Sequence, residues 1–221
     1  MGKAELSDET EELIIKSVLI FYGDAANPEL AGKLAQDVET YWNEPSAAVF
    51  IRNRNYAVRF EISGYFDPAL EPEKVWYNDD PALNFFRIEE FATGNISFVD
   101  GLGSNTGYFK LQNLLQTPST MAHEYGHTIG LDHPKILDVR GKGTPGIMYP
   151  RGTLCDAHMQ YDPLVEAGAY GGVLDPAHRK VLLSDITDLK LHKLDFDENG
   201  FAKLGDFSSF YHEKHVDPEA V

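Results

Sequence analysis

Cysteine is nearly absent from this chain of 221 residues. The single Cys155 excludes an intrachain disulfide and any zinc site built on two or more cysteines; a lone buried or half-buried thiol is expected. Basic residues are scarce as well, 19 Lys and Arg against 35 Asp and Glu, for a formal charge of −16. A surface of that sign repels nucleic acid and anionic membranes and favours cations or basic partners. Its plainest consequence is simply good solvation. Long apolar runs are missing too, so no stretch reaches membrane-spanning length. The best early run, Leu13 to Phe21, is broken by Lys16 and preceded by acidic residues. That charge order is wrong for a signal peptide and suits a strand.

What remains is a globular composition, 43% hydrophobic and 12% aromatic, long enough to bury a real core. Residues 13–22 alternate and predict a strand. Asn27-Pro28 opens a helix in which Leu30, Leu34, Val38 and Trp42 repeat at fours. Residues 47–66 read as two strands around the polar turn Arg52 to Asn55. Short strands follow over 84–92 and 95–99, then a glycine-rich loop (100–107) and another extended piece over 108–115. Thr117 and Pro118 signal a new helix, with Thr117 as N-cap, running to about Gly130. Residues 134–175 look irregular, and 175–192 reads as one long helix. A single α+β domain is expected, with a twisted mixed sheet. Its upper half would span about 12–133 and its lower half about 134–221, with a cleft between them.

The densest chemistry is His123-Glu-Tyr-Gly-His127-Thr-Ile-Gly130-Leu-Asp-His133. On a helix, His123 and His127 lie one turn apart on one face. Both imidazoles can reach one ion about 2 Å away, as tetrahedral zinc requires. Glu124 stands beside the first ligand, placed to hold a water rather than the metal. Gly130 permits a sharp turn, and His133 can swing back as third ligand. Three neutral nitrogens leave a fourth position open, which marks a catalytic site rather than a structural one. The remaining histidines, His158, His178, His192, His212 and His215, are not expected to be ligands. A helix with a few surface histidines is the competing reading, and these offsets disfavour it.

This pattern resembles the zinc signature of the metzincins, a clan of zinc endopeptidases. Gly146-Ile-Met148-Tyr-Pro150, with Met148 fifteen residues after His133, is similar to the clan's methionine turn. The resemblance implies that Met148 packs its thioether beneath the histidines. The turn is most like that of the matrixins, while Pro134 after the last histidine is serralysin-like. Pro150 stands where astacins and serralysins carry a tyrosine. The resemblance also implies hydrolysis of protein or peptide substrates by a monomer in a secreted or cell-envelope setting, with Glu124 as general base. It implies a substrate lying extended along an edge strand, for which Tyr108, Phe109, Lys110 and Leu111 are the candidates. Residues 149–175, with Tyr161, Leu164 and Tyr170, would wall a side-chain pocket. A non-catalytic zinc or peptide-binding module and a zinc amidase for small substrates are the alternatives.

Two stretches raise calcium as a second cation. The loop at Asp100 resembles a calcium-binding loop of matrixins, and a plain glycine turn explains it about as well. Asp195, Asp197 and Asn199 match the start of an EF-hand loop. A type I′ hairpin at Asn199-Gly200 is the stronger reading there.

Overall fold

Every second residue from Leu13 is buried along strand β2 (Glu12–Tyr22), which becomes the spine of the sheet. The computed structural model describes residues 1–216. Strand β4 (Arg54–Phe66) runs parallel to β2 along one edge, from Glu12↔Ala57 to Phe21↔Phe66. Parallel neighbours need a crossover, and helix α1 (Pro28–Asn43) supplies it. Asn27 starts that helix by accepting the Leu30 N–H at 2.9 Å, with Pro28 at its first position. Leu30, Ala31, Leu34, Ala35, Val38 and Trp42 form its buried stripe. Gly64 on β4 lets the helix approach closely, because a Cβ there would overlap the Ala31 carbonyl. Strand β3 (Ala48–Ile51) joins β4 through Arg52 and Asn53, both at positive φ (48° and 64°), as a type I′ turn requires.

On the other edge of β2, strand β1 (Gly2–Ser7) pairs antiparallel with its first half, and β5 (Leu83–Glu89), reached through the short helix α2 (Pro72–Trp76), pairs parallel with its second. Strand β7 (Thr106–Lys110) follows β5 in parallel. The two-residue strand β6 (Phe98–Val99) closes that side, antiparallel to β7. The order β3-β4-β2-β5-β7-β6 makes a mixed sheet, and the fold is mixed α and β. One continuous core joins the sheet to Ile147, Met148, Val181, Ile186 and Leu191 of the lower half.

Three expectations need correction. The long helix over 175–192 does not form. Pro176–His178 makes one 3₁₀ turn capped by Asp175, the next residues are extended, Leu183–Asp188 (α5) is α-helical, and Leu191–Lys193 is a second 3₁₀ turn. Lys180 N–H pairs with the Pro145 carbonyl at 3.1 Å and the Arg179 side chain turns inward, so tertiary partners override a helix-compatible pattern. Second, the extended reading of 108–115 ends at Lys110, and Leu111–Gln116 is helix α3. Third, the division at 12–133 and 134–221 fails at both ends. Residues Gly2–Ser7, ahead of the expected start, form strand β1, and strand β8 (Phe201–Leu204) returns from the far end to pair with it. The chain after β8 stays on the sheet: His212 N–H donates to Tyr22 Oη at 3.0 Å and Arg87 Nη1 to the His212 carbonyl at 3.1 Å.

Candidate metal centre

Helix α4 (Ser119–Thr128) carries the first two histidines. It starts one residue later than expected. Pro118, not Thr117, stands at the cap position, and among the described residues no side chain caps the helix; Thr117 is extended and its Oγ1 accepts the Ser119 N–H at 3.3 Å. The inner face is pinned: Trp42 Nε1 donates to the Ala122 carbonyl at 3.1 Å, and Tyr125 Oη meets Ser17 Oγ at 2.8 Å. Trp42, Phe60 and Tyr125 pack ring against ring, with centroids 5.3–6.4 Å apart. These contacts hold His123 and His127 toward the opposite side. After the helix, Leu131 N–H bonds to the Gly126 carbonyl at 2.9 Å, and Gly130 takes φ +100°, a turn that brings the chain back.

His133 returns as expected. Its Nε2 lies 3.1 Å from His123 Nε2 and 3.0 Å from His127 Nε2. Nitrogens on a tetrahedral zinc would be about 3.3 Å apart, so the spacing is close to that of an ion's ligand set. His123 Nδ1 faces the Ile147 carbonyl and His127 Nδ1 the Leu131 carbonyl, each at 2.7 Å. A carbonyl can only accept, so both Nδ1 atoms carry the proton and both Nε2 atoms present lone pairs. His133 can place at most one proton among three converging nitrogens. At least one pair of lone pairs therefore meets without a proton, an arrangement that a cation relieves. Burial, above all, draws the pKa of each of the three histidines down, which keeps them neutral and ready to ligate. Among the described residues, these are the three side chains that gather into a possible metal cluster, and their donors suit zinc.

Glu124 is half-buried on the same face. Burial pushes its carboxyl up to about 8, while Arg179 and Arg151 pull the other way. Met148 lies beneath the helix: a Cβ on Gly126 would overlap its sulfur. The methionine turn is itself braced. Asp185 accepts backbone N–H groups of Leu182, at 2.7 Å, and Ile147, whose carbonyl holds His123. This is the orienting layer that metal-binding histidines need.

The remaining candidates fare differently. Tyr108, Phe109 and Lys110 lie on β7, an interior strand, and Leu111 starts α3, so they are not an edge. The edge strand is β6, and Ser97, Phe98 and Val99 line a cleft with His123, Glu124 and His133. Asp100 is occupied by protein: its carboxylate accepts from Thr106 Oγ1 and meets His212 Nε2 at 2.9 Å. Asp197 accepts the N–H groups of Asn199 (2.9 Å) and Phe201 (2.8 Å), forming a tight turn. Only Gly200 there has positive φ, so the turn is not type I′, and the strand after it pairs with β1. Asp206, at the twelfth place of the EF-hand pattern, bonds Lys203 at 2.8 Å. His215 stacks on Tyr108 with centroids 3.8 Å apart. Cys155 is buried with Val139, Met159 and Leu174. Leu164 and Tyr170 face solvent.

Sequence reasoning missed the residues that line the cavity beside Glu124. Ser97, Asn113, Thr120, Arg151 and Arg179 border a space of about 150 Å³ that also touches His123 and His133. Arg179 sits in a stretch that reads as helix, and no local pattern marks it. Comparison with known protein families and with curated proteins finds no match for this chain.

Proposed function

We propose that this chain is a zinc-dependent endopeptidase of metzincin type. The observation that carries the reading is the meeting of three histidine Nε2 atoms beside Glu124, above a methionine turn that holds His123 through the Ile147 carbonyl. His123, His127 and His133 would hold the ion. The chemistry a zinc ion would supply there is a lowered pKa for water and polarisation of a carbonyl. Glu124 accepts a proton from the attacking water as its oxygen bonds to the scissile carbon, then delivers that proton to the departing amine. The raised pKa of Glu124 suits both halves of that task, and a bound dication would bring it down toward the working pH. Strand β6 ends the sheet next to the histidines and supports an extended substrate bound by strand addition.

The test is cleavage of a mixed peptide library by the zinc-loaded chain. Cleavage should stop with a chelator and return with added zinc. A fully zinc-loaded chain that cleaves no peptide would overturn the reading and leave a binding module.

A further inference from the structure

Two arginines stand beside the histidines in a chain whose net charge is −16. Arg179 is 4% exposed. Its Nη1 donates to the Tyr149 carbonyl at 3.1 Å and its Nη2 to Ser119 Oγ at 3.3 Å, while among the described residues Nε has no partner. Among the described residues no carboxylate comes within ion-pair distance of it. Glu124 acts on it only through space. Arg151, exposed, stands at the same cavity, and among the described residues its side-chain partner is Gln116 Oε1 at 3.5 Å. A buried guanidinium without a counter-ion is costly, and an apolar side chain of similar volume would serve packing better. The cavity borders His123 and Glu124, so whatever fills it lies next to the reacting bond.

We propose that this cavity takes a carboxylate of the substrate, with Arg179 as its buried anchor and Arg151 at its mouth. The carboxylate is an Asp or Glu side chain next to the cleaved bond, or a free C-terminus. This rests on the endopeptidase reading for its use in catalysis, but not for the binding itself. The fold leaves the Arg179 Nε–H unpaired among the described residues, and guanidinium matches carboxylate in shape as well as charge.

The test uses ¹⁵N-labelled, zinc-loaded chain and follows the Arg179 Nε–H signal. Three probes are titrated: N-acetylaspartate α-methylamide, N-acetylasparagine methylamide and N-acetylalanine. The first carries only a side-chain carboxylate, the second none and the third only a terminal one. At least one carboxylate probe should move the signal, and which one does so identifies the source. The asparagine probe should leave it in place. In Arg151→Gln, which changes an exposed side chain, that binding should weaken by about fivefold or more. A carboxylate held by zinc alone would bind Arg151→Gln as tightly as the parent, and that result overturns the proposal. So does an Arg179 signal that neither carboxylate moves. A peptide series adds the activity arm: kcat/KM should be about tenfold higher with Asp or Glu beside the cleaved bond, or with a free C-terminus there, than with the neutral amide. Carboxylate binding at Arg179 without any cleavage would sink the endopeptidase reading and keep the pocket. Cleavage with no carboxylate binding would do the reverse.

Discussion

Replacing Gly126 with Ala sets two physical effects against each other. In mid-helix, Ala is favoured over Gly by about 0.5–1 kcal/mol, so helix propensity alone predicts a more stable protein. The structure predicts the opposite. A Cβ at 126 would overlap Met148 Sδ, and Trp42 Cζ2 stands 3.2 Å away on another side. Met148 is 3% exposed and Trp42 1%, and the indole is held by its bond to the Ala122 carbonyl, so neither has open space to retreat into. Overpacking of this kind costs about 1–3 kcal/mol, which leaves a net loss of roughly 0–2.5 kcal/mol, centred near ~1 kcal/mol. For a chain of this size the central value lowers Tm by about 2–4 °C, and the upper end by about 10 °C, measured by thermal melting at saturating zinc. In a Met148→Ala background the overlap is gone, and the same substitution should become neutral or stabilising. A higher Tm for Gly126→Ala in the parent would refute the packing of the methionine turn against this helix.

Three further outcomes follow from the same geometry. His127→Ala should lose stoichiometric zinc by metal analysis after gel filtration, because two ligands cannot form the site; retained zinc would point to another cluster. Met148→Leu should fold and hold zinc, whereas Met148→Glu should lose metal or fold, since it buries a charge under the histidines; a stable zinc-loaded Met148→Glu contradicts that placement. Burial raises the Asp185 pKa from 3.8 to about 6, against the pull of its two backbone donors. Between those values the folded chain keeps a proton that the unfolded chain has released, so this residue lowers stability as pH rises through that window and has no further effect above it. Urea unfolding at matched zinc should therefore show the parent losing on the order of 1–3 kcal/mol relative to Asp185→Asn from about pH 4 to 6. A difference constant across that range would rule out the raised pKa.

Elements whose order is local were readable before any coordinates. The alternation of Leu13 to Phe21, the fourfold spacing from Leu30 to Trp42 and the polar turn at Arg52-Asn53 each carry their signal within a few residues. The histidine cluster was readable for the same reason, since one helical turn and one glycine turn bring its three nitrogens together. What escaped depends on distant partners. Strand β1 does not read as part of the sheet, because its partner β8 lies about 200 residues away, and β7 looks like an edge until Phe98 and Val99 are placed outside it. Arg179 sits in a segment whose pattern permits a helix, and only its pairing with the region around Pro145 and Tyr149 turns it inward. Asp185 lies within the segment expected to be one long helix and carries no local mark, yet it braces the turn that holds His123.

The central claim is that Glu124 moves the proton while the histidines hold the metal, and Glu124→Gln separates the two. That substitution keeps the side chain's shape and all three ligands, so zinc content and Tm should stay close to the parent's. General-base assistance is worth about 100- to 10,000-fold, so kcat/KM on a peptide cleaved by the parent should fall at least by the lower figure. A zinc-loaded Glu124→Gln chain that cleaves as fast as the parent would contradict the account.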